Sequence, residues 1–403
     1  MSAIDDTPSV TNGEAPQVPF ASPAAASGAP HIEIPVAYDA ILLAGFGGPE
    51  GQDDVIPFLR NVTAGRGIPD ERLEEVAHHY RHFGGVSPIN DQNRALKAAL
   101  EDELARRGID LPVYWGNRNW GPYLDDAVKE AAAAGHTSLI AIATSADSSF
   151  SSCRQYREDF AQVLTRTGLG DVVTIDKVRQ FFDHPGFVAP ISAGVSQAVA
   201  GFLDDGIAAS EIRVLFSTHS VPMDDAVRSG PRDVDWGEGG AYAAQHRAVA
   251  EVIMGDLAAE RPDAASVAWD LVYQSRSGPP SQPWLEPDVV DVIETLPDAG
   301  VRAVAIVPLG FVSDHMEVLW DLDTEAVEAA EEAGLRAVRT ATPGVDPAYV
   351  TGLIDLVMER VEGTPTAERP HRTALGPWFD VCRPACCENV RAGFKPAAAG
   401  IAP

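Results

Sequence analysis

The chain has 403 residues, of which 45% are hydrophobic, and a formal net charge of −29. This composition allows one large or two medium cores, and two domains are favoured. The negative charge and the lack of a Lys/Arg cluster argue against nucleic acid as a partner. No apolar run approaches the roughly 18 residues of a transmembrane helix, and the N-terminus does not resemble a signal peptide. We therefore expect a cytoplasmic protein without stable membrane insertion.

A repeating pattern of strand, glycine-containing turn and helix begins at Tyr38. The predicted strands are 38–46, 111–116, 137–145, 172–178, 212–219, 268–275, 301–310 and 335–341. The clearest helical patterns are 91–107, 124–134, 190–204, 241–259 and 346–362. Two sets of four strands predict an α/β fold of two similar doubly wound domains with a cleft between them. The predicted regions are a disordered extension at 1–37, two domains at 38–189 and 190–362, and a tail at 363–403.

Polar and glycine-rich segments follow the predicted strands of the first half. The first strand ends in Ala44-Gly-Phe-Gly-Gly-Pro-Glu50, which lacks the spacing of a dinucleotide site. After the second strand, Arg118 and the neighbouring aromatic rings would suit a flat anionic ligand, although a surface turn explains the same residues. The third strand leads into a hydroxyl-rich loop with Cys153. Its serines are typical of helix caps and equally of a site for ligand carboxylates.

In the second half, His219 stands at the carboxyl end of the fifth predicted strand. A single histidine is more often structural than a ligand. In an open α/β sheet, however, this end of a strand is where ligands bind. The sixth strand ends in Tyr273-Gln-Ser-Arg276, shortly before Trp284, which adds polar groups and a ring to the same cleft.

The segment after the seventh strand carries a row of acidic residues. With α-helical periodicity, one face is acidic and the opposite face apolar, the acidic residues being Asp314, Glu317, Asp321 and Glu325 and the apolar ones Met316, Leu319 and Trp320. Like charges four residues apart repel, and a bound cation would reverse the sign of that interaction. A solvated acidic face is the alternative. Together with His219, the row predicts a cleft for a divalent metal and a flat, carboxylated ligand.

Five ordered sequence blocks resemble the ferrochelatase family, over about residues 38–360. They are Phe83-Gly-Gly-Val-Ser-Pro-Ile89, Phe216-Ser-Thr-His-Ser-Val-Pro222, Tyr273-Gln-Ser-Arg276, Trp284-Leu-Glu-Pro287 and Pro308-Leu-Gly-Phe-Val-Ser-Asp-His-Met-Glu-Val-Leu-Trp-Asp-Leu-Asp323. The hydroxyl-rich loop and the cysteine-containing tail resemble its actinobacterial branch, whose members act on coproporphyrin III. The resemblance implies two Rossmann-like chelatase domains, each a four-stranded parallel sheet flanked by helices, with the porphyrin in the cleft between them.

The resemblance also implies residue roles in the insertion of Fe²⁺ into a porphyrin. His219 and Glu317 would be catalytic and would face the metal from opposite sides. Four residues would support them or form a cation path, namely Asp314, His315, Asp321 and Glu325. Five would contact the porphyrin, namely Phe46, Ser87, Arg118, Gln274 and Trp284. The helix after 314 resembles one that carries a π-turn in the family.

Two positions depart from the family pattern. Phe46 stands where several bacterial relatives have a tyrosine near the metal. The iron-liganding role of that tyrosine therefore does not carry over to this chain. Asn119 stands where some relatives have a tyrosine, which leaves the propionate contacts at that position open, while Arg118 itself matches.

The four cysteines are Cys153, Cys382, Cys386 and Cys387. Four thiols are the number that a [2Fe–2S] cluster needs, and a tetrahedral zinc ion needs the same number. Unrelated thiols are a weaker explanation, because three of the four lie within six residues. The family resemblance favours the cluster, in a structural or sensing role.

These observations lead us to expect an enzyme that inserts Fe²⁺ into coproporphyrin III during haem biosynthesis, acting as a monomer. One alternative is the same fold acting on protoporphyrin IX, another tetrapyrrole or another metal. A different class is a non-catalytic tetrapyrrole carrier or an iron–sulfur redox sensor that uses the cleft only for binding.

Overall fold

The computed structural model describes residues 20–25, 28–65, 67–278, 281–383, 385–388 and 395–400. Within them the chain forms eight strands: β1 (Ala40–Gly45), β2 (Val113–Asn117), β3 (Ser138–Ala143), β4 (Thr174–Lys177), β5 (Ile212–His219), β6 (Ala268–Gln274), β7 (Ala303–Val307) and β8 (Arg336–Arg339). Seven of the predicted strands contain one of them in full, and β2 extends one residue beyond the predicted 111–116. All residues of β1 and β7 are buried, as expected for central parallel strands that are covered on both faces.

The strands form two parallel sheets with the same connectivity, in the orders β2-β1-β3-β4 and β6-β5-β7-β8. This confirms the predicted pair of four-stranded α/β domains. In each sheet the order reverses beside the first strand, between β1 and β3 and between β5 and β7. A crevice opens at such a point beyond the carboxyl ends of the strands. The fold therefore brings the segments after β5 and β7 to one place.

Helices cover both sheets. They are α1 (Val55–Val62), α2 (Asp70–His82), α3 (Ile89–Arg107), α4 (Leu124–Ala133), α5 (Gln155–Thr167), α6 (Pro185–Asp204), α7 (Met223–Ala226), α8 (Gly240–Glu260), α9 (Val289–Thr295), α10 (Val327–Glu332) and α11 (Pro347–Glu362). Two π-helical segments, Phe150–Arg154 and Val318–Ala326, follow β3 and β7. The second agrees with the expected π-turn.

Helix α6 joins the two halves, and the predicted boundary at 189/190 lies inside it. The helix begins at Pro185, earlier than predicted. His184 caps it by accepting the Gly186 N–H at 3.1 Å, and proline is well tolerated in a first turn. By length and hydropathy alone α6 could cross a membrane, which the sequence pattern did not reveal. In this structure its apolar side chains belong to one cluster that joins both sheets.

The part of the N-terminal extension that the structure describes is packed, in contrast to the expected disorder. Ala25 and Ile32 are buried against Val381 of the tail. The Ile32 N–H donates to Asp380 at 2.8 Å. The reason is long-range: the apolar residues of this segment find partners only when the tail folds back over the first domain. Residues 1–19 of the same prediction lie outside the described residues.

Candidate active site

His219 is the last residue of β5 and lies at the predicted cleft. Its Nε2 is 3.7 Å from Glu317 Oε2, and the two side chains are 32% and 49% exposed. Gly310, after β7, packs against Thr218 so closely that a Cβ there would lie within 2.0 Å of the Thr218 hydroxyl. This close contact holds the ends of β5 and β7 together, and so brings a histidine and a carboxylate from distant parts of the chain into one pair.

The pair changes the protonation of both groups. Burial lowers the pKa of His219, but the nearby Glu317 carboxylate and the Ser220 carbonyl raise it more, to about 9. Burial raises the pKa of Glu317, but the imidazolium opposite outweighs this and lowers it to about 2. Glu317 is half exposed, so solvent screens part of the attraction. At neutral pH the two groups therefore form an ion pair.

Asp321 lies next to this pair, on the π-helical segment. Its carboxylate accepts hydrogen bonds from Ser275 and, at 3.3 Å, from the Gln274 amide. Burial raises the pKa of Asp321 to about 7, and the like charge of Glu317 adds to this effect. The Gln274 amide also donates to the Glu317 carbonyl at 3.1 Å and accepts from Ser217 at 2.8 Å. Gln274 thus connects two strands to the acidic segment, and is buried rather than part of an open porphyrin rim.

The acidic segment is not arranged as α-helical periodicity predicted. Trp320 was expected on the side opposite Glu325, yet its indole N–H donates to the Glu325 carboxylate at 2.8 Å. A π-helix bonds backbone groups five residues apart, and this wider turn brings residues 320 and 325 together. The Thr324 hydroxyl also donates to the Leu319 carbonyl at 3.0 Å. The His79 ring stacks on Trp320 with centroids 4.1 Å apart, so α2 of the first domain covers this side of the segment.

Asp314 and His315 have different surroundings. The Asp314 carboxylate is held by Arg339, at 3.2 and 3.3 Å, and by the Thr342 hydroxyl at 3.0 Å. This predicted supporting residue therefore anchors the segment after β7 to β8. His315 accepts the Glu317 backbone N–H at 3.2 Å, and burial lowers its pKa. A neutral His315 at this position accepts this bond and so helps to orient Glu317.

The residues predicted to contact the porphyrin differ in how exposed they are. Phe46 is 36% exposed and its ring lies 5.8 Å from the Arg118 guanidinium carbon. The Arg118 side chain is only 5% exposed and its Nε lies 2.5 Å from Asp159, so its charge is already matched. Ser87 and Trp284 are buried, the first beside Gly48 and the second beside Gly278. Phe46 is the member of this set with the most open surface for a flat ligand.

The sequence prediction missed two tyrosines of the site. Tyr80 of α2 faces the acidic segment, where burial and the charges of Glu317 and Asp321 raise its pKa. Tyr242 of α8 donates to the His219 carbonyl at 3.0 Å. Tyr80 lies just before the glycine-containing block at 83–89 and could have been found there. Tyr242 carries no sequence signal, because an aromatic residue in a helix is usually a core residue.

The four cysteines, predicted to act together, are buried in one group. The Cys153 and Cys382 sulfurs are 3.8 Å apart, and those of Cys386 and Cys387 are 3.7 Å apart. The tail thus reaches the hydroxyl-rich loop of the first domain, as expected. In the described part of the chain, no group of three or more His, Cys, Asp or Glu side chains is arranged to hold a single metal ion.

Comparisons with known proteins identify the family of this chain. The ferrochelatase family model matches residues 38–361. The chain is 68% identical to the coproporphyrin III ferrochelatase of Leifsonia xyli subsp. xyli, covering 95% of this chain and 99% of that protein. It is 56% identical to the enzyme of the same name from Tropheryma whipplei, covering 91% and 93%. Among solved structures, SirB from Bacillus subtilis with Fe³⁺ aligns with a TM-score of 0.44 and 13% identity, covering 83% of this chain and 100% of that one.

Proposed function

Because this chain belongs to the ferrochelatase family, we propose that it inserts Fe²⁺ into coproporphyrin III to give coproheme in haem biosynthesis. The observation that carries the proposal is the His219–Glu317 pair, 3.7 Å apart at the adjoining ends of two parallel strands. The choice of coproporphyrin III is supported by relatives of that name at 51–68% identity.

The metal is a substrate here, and the site suits an ion that binds briefly and is then released to the porphyrin. Imidazole and carboxylate are ligands that Fe²⁺ accepts. Two protein ligands leave most coordination positions for water and for the pyrrole nitrogens, so the ion can be released to the ring. The acidic residues Asp321 and Glu325 continue from the pair along the π-helical segment and would attract the cation toward it.

Insertion releases two protons from the pyrrole nitrogens for each Fe²⁺ bound, so the cleft needs proton acceptors. An arriving cation that takes the place of His219 beside Glu317 returns the pKa of His219 toward its ordinary value, so the imidazolium loses its proton to solvent. The neutral imidazole can then accept the pyrrole protons one at a time and pass each to solvent. Asp321 is close enough to take part in passing protons to solvent. The porphyrin would lie against Phe46, with the glycine loop before Ser87 and the ring of Trp284 bordering it.

An anaerobic absorption time course with Fe²⁺ tests the function and the substrate together. Conversion of the free-base bands to metalloporphyrin bands, faster with coproporphyrin III than with protoporphyrin IX, is the expected result. His219→Ala should abolish conversion but leave porphyrin binding largely intact. Faster conversion of protoporphyrin IX would overturn the substrate assignment. Binding without conversion of either porphyrin would favour a tetrapyrrole carrier.

The cysteine group supports a [2Fe–2S] cluster as the resident cofactor. Tetrahedral metal–sulfur bonds of about 2.3 Å place two sulfurs on one metal about 3.8 Å apart, which agrees with the two sulfur–sulfur distances of 3.8 and 3.7 Å. Cys382 also contacts Cys386, so the four sulfurs form one continuous group, and these distances would suit a tetrahedral zinc ion as well. We propose the cluster because the hydroxyl-rich loop and the tail resemble the actinobacterial branch of the family. Cys153 and Cys382 would hold one iron and Cys386 and Cys387 the other. When bound, the cluster would supply cross-links between the tail and the first domain.

Metal and sulfide analysis tests this assignment. We expect two irons and two inorganic sulfides per chain, with visible absorption that is lost in Cys382→Ser. Zinc without sulfide would overturn it. We also propose a cytoplasmic monomer without stable membrane insertion, supported by the packing of α6 inside the protein. Sedimentation of the purified chain at micromolar concentration as a dimer would contradict the monomer.

A further inference from the structure

Tyr242 fixes the end of the strand that carries His219. The tyrosine lies in the first turn of α8 and is buried. Its hydroxyl donates to the His219 carbonyl at 3.0 Å and lies 2.6 Å from the Thr218 hydroxyl, which can donate to it in turn. Burial raises the pKa of Tyr242, so the phenol keeps the proton that it donates. One side chain therefore holds the last two residues of β5.

A first set of contacts connects Tyr242 to the cysteine group. The Tyr242 N–H donates to the Ser229 hydroxyl at 2.8 Å, and the N–H of the next residue, Gly230, donates to the Cys387 sulfur at 3.2 Å. The turn and the start of α8 are in close contact, since a Cβ on Gly230 would lie within 2.5 Å of the Ala241 Cβ. A displacement of Cys387 would therefore shift the 229–230 turn and, through it, the position of Tyr242.

A second set of contacts reaches the same helix from Cys153. Gln245 exchanges two hydrogen bonds with Ser148, at 2.8 and 3.0 Å. The buried His246 ring bonds the Tyr242 carbonyl at 2.7 Å through Nδ1, and its Nε2 lies 3.3 Å from the carboxylate of Asp147. Residues 147–149 lead directly into the π-helical segment that holds Cys153. Both ends of the cysteine group are thus attached to α8 close to Tyr242.

We propose that Tyr242 is a positioning residue for His219, and that the four-cysteine group acts on His219 through it. This inference rests on the proposed ferrochelatase function. With the four sulfurs held together, the 229–230 turn and the 147–149 loop are fixed on α8, and the tyrosine holds the end of β5 in place. When the sulfurs separate, both supports loosen and His219 loses its alignment with Glu317. The cysteine group thereby sets the insertion rate without touching the porphyrin.

Tyr242→Phe tests the positioning role while keeping the ring. We expect kcat to fall about three- to tenfold, as for the loss of one or two buried hydrogen bonds, with the KM for porphyrin within about twofold. Tyr349→Phe is the matched control, because this buried tyrosine's hydroxyl has no hydrogen-bond partner among the described residues. In protein labelled with nitrogen-15 histidine, the His219 resonance, identified by its absence in His219→Gln, should move in Tyr242→Phe and stay in the control. An unchanged kcat or resonance in Tyr242→Phe would overturn the role.

A double-mutant cycle tests the link to the cysteines. Cys387→Ala should move the His219 resonance in the wild-type background and leave it in place in Tyr242→Phe. Ser229→Ala retains all four thiols, so it replaces Cys387→Ala in the cycle if the cysteine variant does not fold. It should lower kcat about threefold alone and have no further effect with Tyr242→Phe. Additive effects would overturn the link. If no variant inserts iron but the resonances behave as expected, the proposed function fails and the link stands.

Discussion

The two π-helical segments occupy equivalent positions in the two halves and have different roles. Phe150–Arg154 follows β3, and Val318–Ala326 follows β7, the corresponding strand of the second sheet. The first segment buries Cys153 and an arginine, and the second carries carboxylates beside the cleft. The fold thus provides the same irregular turn twice, at a place where side chains can be re-aimed. Which side chains stand there decides whether the turn holds the cysteine group or faces the substrate metal.

The two segments also differ in how their buried charged groups are compensated. In the first, the fully buried Arg154 bonds Glu158 at 2.9 Å, so a positive and a negative group compensate each other. In the second, the Asp321 carboxylate is held by the neutral side chains of Ser275 and Gln274, and burial raises its pKa to about 7. Burial makes the Asp321 carboxyl group costly to ionise, and the hydrogen bond from Ser275 offsets only part of that cost.

The largest expected effect comes from the carboxylate just before the second segment. Glu317→Gln should lower the insertion rate at least about a hundredfold, because the cleft loses one of its two metal-facing groups and a negative charge. Porphyrin binding, measured by fluorescence quenching, should change little. Glu328→Gln, a change of the same kind on α10, should leave the rate unaltered. A rate within about threefold of wild type for Glu317→Gln would remove this residue from the mechanism.

The corresponding change in the first segment should affect stability. If the proposed cluster is bound, Cys153→Ser should abolish its visible absorption and lower the free energy of unfolding by about 3 kcal/mol, as when a protein loses a metal cross-link. Denaturant unfolding measures the loss. Ser152→Ala, at the neighbouring position, should stay within about 0.5 kcal/mol of wild type. Equal stability of the two variants would mean that the cysteine group does not cross-link the fold.

A pH dependence distinguishes the buried carboxylate of the second segment. The folded pKa of Asp321, about 7, lies above its ordinary value of 3.8, so its ionisation destabilises the protein above pH 7 and protonation relieves this as the pH falls. Asp321→Asn should therefore raise the free energy of unfolding at pH 8, on the order of 1–2 kcal/mol, after allowance for solvent and its hydrogen bonds. The difference from wild type should shrink toward pH 5. If the gain in the free energy of unfolding is constant across pH 5–8, it does not come from the ionisation of Asp321.

The smallest effect is expected from Glu325, farther along the same segment. Glu325→Gln should raise the KM for Fe²⁺ about two- to fivefold without changing kcat, because an exposed charge attracts the cation but does not bind it during insertion. The effect should fade with added salt. Initial rates at several Fe²⁺ and salt concentrations provide the measurement, with Glu332→Gln, exposed on α10, as the control. A changed kcat would place Glu325 at the metal instead.

The sequence by itself determined the eight strands and the two matching domains, and it predicted the pair His219 and Glu317 that the structure brings within 3.7 Å. Strands such as β7 are short, β-branched and wholly buried, so the local pattern is sufficient to find them. Parallel strands end at the same edge of a sheet, so the order of the predicted strands already places His219 near the acidic segment. The family blocks then identified Glu317 as the partner.

The tertiary structure alone decided the contacts that join distant or irregular parts of the chain. Periodicity placed Trp320 opposite Glu325, and only the π-helical turn brings them together. The sequence predicted that Arg118 would suit an anionic ligand, yet Asp159 lies beside it and matches its charge. Cys153 meets Cys382 across 229 positions of the sequence, and Tyr242 reaches His219 from another helix. A local pattern reports which residues share a face, whereas packing between elements decides which of them touch.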